Sequence, residues 1–271
     1  MDITEIIKNA LIFPSKNLET LSIYAIFTLL AAAFTFQGIV TLILGIFDLK
    51  NLIIGGVYIA IAIIIGFITR GISIECIKTG IDLEEKFPDF KWWSSLTTGV
   101  NKIVITVFYF LIPALIAVFI ALITDVVGNI LNVFDAIALE ASTLFMGTYE
   151  NAVSIASFQL FASLAITISA ALIIFLIFSF FQAMAEARYA HTGSLKKALN
   201  LIGSIRDISR IGVGKLVILS VLIFVIVTCI EAILAFVFDH LFVLSILTIV
   251  ITPYLALFAQ RALGLLYSDI V

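Results

Sequence analysis

Glu231 is an acidic residue well inside an uninterrupted apolar run, sixteen residues after Lys215 and eight before Asp239. A carboxylate in hydrocarbon costs at least about 2.5 kcal/mol even on lenient insertion scales, so the position calls for a partner or for water. Two readings stay open: a neutral Glu bonded to Thr or Ser hydroxyls between helices, or a contact for an ion or substrate. Gln37 and Gln159 lie in other apolar runs and join Glu231 as candidates for an intramembrane polar site. Gln182, Gln260, Tyr254, Pro113 and Pro253 pose the same choice, between a polar pathway and ordinary interhelical hydrogen bonds and kinks. Arg70 and Arg261 stand near the ends of apolar runs, where long cationic side chains snorkel to lipid phosphates. Trp92 and Trp93, the only tryptophans, sit where interfacial anchors belong. These four are the candidate lipid-headgroup contacts.

Catalytic chemistry finds no foothold in the sequence. There is no G-x-S-x-G elbow, no G-x-x-x-x-G-K-[ST] phosphate loop and no H-E-x-x-H zinc helix. His191 and His240 fall on opposite membrane faces and cannot share a metal. Glu75 and Glu186 have no carboxylate at i+3 or i+4 with which to divide acid and base roles. The expectation is a non-enzyme with no catalytic residue, no cofactor, no metal and no nucleic-acid partner.

The elements that carry these residues follow from composition. Of 271 residues, 63% are apolar and 12% charged, about half the roughly 25% of an ordinary soluble domain. The charges collect in clusters between apolar runs, at about 20–47, 52–75, 102–124, 154–185, 214–238 and 241–266. Each run is long enough to cross about 30 Å of hydrocarbon at 1.5 Å per residue. The fold class expected is all-α, a six-span transmembrane bundle. Leu21 to Phe47 is too long for a signal-peptide core and reads as a retained span. Cys76 and Cys229 lie in separate runs and imply neither a disulfide nor a metal.

With six spans, every basic residue except Lys50 falls on one side, which the positive-inside rule makes cytoplasmic. Both termini are therefore expected in the cytoplasm and the protein in the cell membrane. The acidic stretch Asp125 to Asn151 is the longest outer segment. Val127, Ile130, Leu131, Phe134 and Ile137 follow helical spacing there, either as an extension of span three or as a surface helix.

At an offset of 113 residues, Phe67 pairs with Phe180, Thr79-Gly80 with Thr192-Gly193, Gly99-Val100 with Gly212-Val213, and Lys102 with Lys215. This suggests a single domain, 1–271, of three pseudo-repeated hairpins (1–78, 79–191, 192–271), each preceded by a cytoplasmic interfacial amphipathic segment. Those segments are Ile3 to Phe13, Phe87 to Leu96, and the linker that places Leu195, Leu199, Ile202, Ile205 and Ile208 near one helical face. Span four carries Ser163, Thr167 and Ala171 at four-residue spacing, with Ala165 and Ser169 beside them, and is expected at the centre of the bundle. Span two offers a lesser small face with Gly56, Ala60, Ala62 and Gly66.

At Phe87-Pro88-Asp89-Phe90-Lys91-Trp92-Trp93, then Thr98-Gly99-Val100-Asn101-Lys102 and Tyr109-Phe110-Leu111-Ile112-Pro113, the chain resembles the largely archaeal membrane proteins grouped as domain of unknown function 4013. Gly66 and Arg70 precede the motif in the expected order. The resemblance covers about the first 200 residues. It departs in Lys91, where the family tends to be acidic, and in a longer segment between the first two spans. It implies a polytopic membrane protein and brings no activity or catalytic residue to carry over. In the motif itself, Pro88 is expected to open a helix and Asp89 to favour its N-terminal end.

Two functions fit these residues. One is a non-enzymatic membrane module that organises lipids or partner proteins, including copies of itself. The other is a transporter or channel for a small solute, ion or lipid, with Glu231 leading its polar path.

Overall fold

The computed structural model describes residues 1–46, 48–87, 90–144, 152–240 and 246–271. The described residues contain no strand. Their helices are α1 (Ile3–Lys16), α2 (Leu18–Leu44), α3 (Leu49–Ile81), α4 (Trp92–Ile123), α5 (Val126–Leu144), α6 (Ala152–Thr192), α7 (Leu195–Ala198), α8 (Leu201–Ile211), α9 (Val213–His240) and α10 (Ile246–Tyr267). Six of them, α2, α3, α4, α6, α9 and α10, are long and apolar enough to cross a membrane. The chain forms two compact units, residues 1–105 with 183–271, and residues 106–182.

The spanning helices overrun the apolar segments that mark them. The 33 residues of α3 reach about 50 Å at 1.5 Å each, well beyond about 30 Å of hydrocarbon. Its C-terminal end, including Cys76, Ile77, Thr79, Gly80 and Ile81, is buried by protein instead. α4 likewise starts at Trp92, ten residues before the apolar run, so Phe87 to Leu96 is not a separate interfacial helix. Pro88 and Asp89 lie outside the described residues.

In the first unit α3 makes the close helix crossings. A Cβ at Gly71 would stand 1.9 Å from the Ser95 carbonyl oxygen, and one at Gly99 would stand 1.7 Å from that of Phe67, so α3 and α4 touch backbone to backbone. Gly80 and Gly264 do the same between α3 and α10, where a Cβ on Gly264 would lie 2.2 Å from the Ile77 oxygen. Gly38 and Gly55 bring α2 against α3. Small residues allow such approach in lipid, where apolar burial gives helices no reason to associate. Phe13, Leu21, Ile68, Ile72, Cys76 and Leu257 fill the core between these helices and α1.

Sequence spacing put the small-residue helix in span four. Within the second unit Ser163 of span four is buried and the Thr167 hydroxyl lies 2.8 Å from that of Thr124, while Ala165 and Ser169 are exposed. Gln182 donates to Thr106 at 3.0 Å in the same unit. Val126–Leu144 form a helix, α5, set off from α4 by Asp125 at φ 52°. Val127, Ile130, Leu131, Phe134 and Ile137 are exposed on it. Glu140 accepts from the Val153 N–H at 3.0 Å, and residues 145–151 are outside the described set.

The glycines matched at an offset of 113 residues do different work. Gly80 and Gly99 permit helix contact. Gly193 and Gly212 take φ of 64° and 92° at the ends of α6 and α8, with open space where a Cβ would be.

Candidate functional site

Charged side chains gather at one end of the first unit, on α1 and α8, at the C-terminal ends of α3, α6 and α10 and at the N-terminal ends of α4 and α9. Lys102 of α4 pairs with Glu186 of α6 at 3.1 Å and donates to the Ser73 hydroxyl of α3 at 2.9 Å. The two side chains are 12% and 6% exposed, so little water screens them. One helical step away, Asn101 donates to the Tyr189 hydroxyl at 2.7 Å. At the two ends of the next hairpin, Lys215 of α9 is ion-paired to Asp269, which also takes the Met1 α-ammonium at 2.6 Å.

α8 is fastened by a third group. Arg188, near the end of α6, donates through Nε to Asp207 at 3.0 Å and is also held by a second, shorter contact. Tyr267 donates to the same carboxylate oxygen at 2.9 Å. The Arg188 guanidinium lies flush on Gly203, where a Cβ would fall 1.8 Å from Nη1, and reaches the Asn200 carbonyl at 3.2 Å. Ser204, Asp207, Ile208 and Ile211 therefore face the protein. Ile202 at 71% and Ile205 at 47% exposure face outward, with Arg206 and Arg210 beside them. The apolar face expected from spacing is thus split, with Ile208 turned inward and Ile202 and Ile205 outward.

Two larger cavities open at this end. One, of about 720 Å³, is lined by Glu75, Lys78, Thr79, Lys91, Ser94 and Thr98 among others. Glu75 accepts from the Ser95 hydroxyl at 3.2 Å through one oxygen and leaves the other buried and unbonded. The second, of about 400 Å³, lies under α1 and contains Arg261.

Arg261 departs from expectation. Arg70 is exposed and reaches back to the Gly66 carbonyl of its own helix at 3.5 Å. Arg261 is 5% exposed, with its guanidinium carbon 4.3 Å from the Phe13 ring centroid. Its Nε and Nη1 are buried without a hydrogen-bond partner. Each unmet donor costs about 1–3 kcal/mol, more when charged, and the ring face offsets only part. Trp92 and Trp93 are exposed, Trp92 lying edge-on to Phe27 at 5.3 Å and to Phe90 at 5.1 Å.

The intramembrane candidates are not gathered into a cavity. Glu231 is exposed on α9 with no hydroxyl bonded to it. Gln37 is exposed on α2, within 3.4 Å of Thr41 of its own helix. Gln159 is exposed in the second unit. Tyr254 donates to the Leu11 carbonyl, while Gln260 keeps a buried oxygen unbonded. Sequence reading missed Lys102–Glu186 and Arg188–Asp207–Tyr267. The available signal was opposite charge just inside the ends of different apolar runs, but the partner depends on which helices adjoin. Among the described residues no cluster of His, Cys, Asp and Glu could hold a metal ion.

Six long apolar helices, whose large side chains are mostly turned outward, define an all-α multi-pass membrane protein. The chain belongs to the family described as protein of unknown function (DUF4013), which matches residues 54–239. The match begins inside α3 and ends in α9, later at both ends than the motif resemblance suggested. It takes in Lys102, Glu186, Arg188 and Asp207, and leaves Arg261 outside. No curated protein and no solved structure gives a match.

Proposed function

We propose that this protein is a non-enzymatic module of the cell membrane that organises anionic lipids, or a partner protein bearing the same charge, at its cytoplasmic face. In this reading both termini are cytoplasmic, and α1 and α8 lie along the headgroup region. The observation that carries it is the outer surface of α8, where exposed Ile202 and Ile205 adjoin Arg206 and Arg210 on a helix fastened from behind by Asp207. An apolar stripe left uncovered by the protein, with basic residues at its side, is the pattern of a helix held in an anionic interface. Lys102 and Lys215, matched at the 113-residue offset, each pair with an acid at the far end of their own hairpin, which supports a repeated hairpin plan.

Each juxtamembrane cation contributes about 1 kcal/mol toward anionic lipid, or about fivefold in affinity. Replacing Arg206 and Arg210 with Gln should therefore lower the preference for phosphatidylglycerol over phosphatidylcholine by about 25-fold, read by displacement of a fluorescent lipid from the purified protein. An unchanged preference would remove the proposal's main support.

Glu231 supports a second reading. An exposed carboxylate in a span, with no hydrogen bond among the described residues, is accommodated when another copy or a partner chain covers it and a polar path for a solute, ion or lipid forms there. Glu231→Gln is then expected to weaken assembly and abolish flux in proteoliposomes. If both stay at wild-type level, this reading fails.

A further inference from the structure

We propose that the cavity under α1 is a binding site for a single phosphate group, with Arg261 as its floor. Exposure orders the site. Arg261 is 5% exposed and stacked on Phe13, while Glu5, Asn9, Lys16 and Glu85 stand at the rim, with the Glu85 side chain 79% exposed. A guanidinium keeps its charge at any physiological pH, so the buried Nε–H and the two Nη1–H groups cannot be relieved by losing a proton. They need an acceptor. Lys16 is engaged by Glu85 at 3.3 Å, which leaves Arg261, drawn to Glu84 and Glu85 only through space, as the lining cation with no ion pair among the described residues.

An oxyanion with several acceptor oxygens meets such a set of donors better than a monatomic ion does. The cavity, about 400 Å³, has room for a phosphate and a small attached group. Glu5 and Glu85 set the limit in the other direction. Glu5 is anionic and the one rim lysine, Lys16, is held by Glu85, so the rim offers no free cation to a second phosphate; the ligand class is a monophosphate, and whatever it carries toward the rim is neutral or bears a hydroxyl or ammonium donor. The phosphate comes either from a soluble monoester or from a lipid headgroup. This site is distinct from the outer surface of α8, and either assignment survives the loss of the other.

The test uses the full chain in detergent, with thermal melts in sodium phosphate and in sodium chloride of equal ionic strength, then in micelles doped with phosphatidic acid or with phosphatidylcholine. Phosphate, well above its Kd, should raise Tm by about 5 °C over chloride. The shift should persist in Arg70→Gln and disappear in Arg261→Gln. It should also disappear in Ile12→Trp, which fills the cavity mouth from α1 without touching the guanidinium and decides the matter if Arg261→Gln does not fold. A shift with phosphatidic acid alone, lost in the same variants, assigns the phosphate to a lipid headgroup. Equal shifts with chloride or acetate, no shift with either phosphate source, or a shift retained in Ile12→Trp would overturn the assignment.

Discussion

Gly71→Val is expected to cost the first unit about 3 kcal/mol or more, at or above the upper end of ordinary overpacking. The reason is that nothing at the contact can yield. A Cβ at Gly71 would meet the Ser95 oxygen at 1.9 Å, its carbon at 2.5 Å and its Cα at 2.7 Å, all of them backbone of α4. Relief requires α3 and α4 to part, which also lengthens the Lys102–Ser73 and Glu75–Ser95 hydrogen bonds. Gly99→Val should behave alike from the other side, since its Cβ would meet the Phe67 oxygen at 1.7 Å. Gly56 provides the internal control. It lies on the same helix with nothing within 4 Å of its Cβ position, so Gly56→Ala should be neutral or stabilise by up to about 1 kcal/mol through helix propensity. Thermal melts with size-exclusion profiles decide the matter. Equal tolerance of Gly71→Val and Gly56→Ala would show that the crossing is not close.

The second large effect is expected at Lys102–Glu186. Glu186→Gln removes the counter-charge 3.1 Å from an ammonium that is only 12% exposed, and breaking such a pair costs about 3–5 kcal/mol. The double change Lys102→Met with Glu186→Leu removes both charges while keeping similar volumes. It should recover most of that loss, because the desolvation penalty of the ions goes with them. The measurement is a double-mutant cycle of Tm in one detergent. If the double variant is no more stable than Glu186→Gln, the pair does not act as a unit. The contrast with Arg70 is informative, since an exposed cation of the same end should tolerate Arg70→Gln with little change.

The site divides by the range of the interactions involved. Trp92 and Trp93 were expected as anchors from residue type and nearness to the end of a span, both local properties, and both side chains are exposed. A helix in the linker after span four was legible from the spacing of its apolar residues, but not the side it would present. Spacing grouped Ile208 with Ile202 and Ile205, and only the docking of Asp207 on Arg188 and Tyr267 turned Ile208 inward. Arg70 and Arg261 look alike in the chain, each near the end of an apolar run. They differ because α1 folds over Arg261, while Arg70 stays exposed among the described residues. Small-residue spacing pointed to span four, whereas single glycines on α3, each opposite a partner far away in sequence, made the close contacts.

Sequence by itself determined the solvent and hence the class. Long runs free of charge must satisfy their backbone groups within one helix when no water is present, so six helices in hydrocarbon follow from composition and length alone. Tertiary structure decided which charges meet, which arginine is buried and which face of α8 remains free. Those outcomes depend on approach distances between helices far apart in the chain, set by the absence of a Cβ at Gly71, Gly99, Gly80 and Gly264, and no local pattern encodes what stands opposite a glycine.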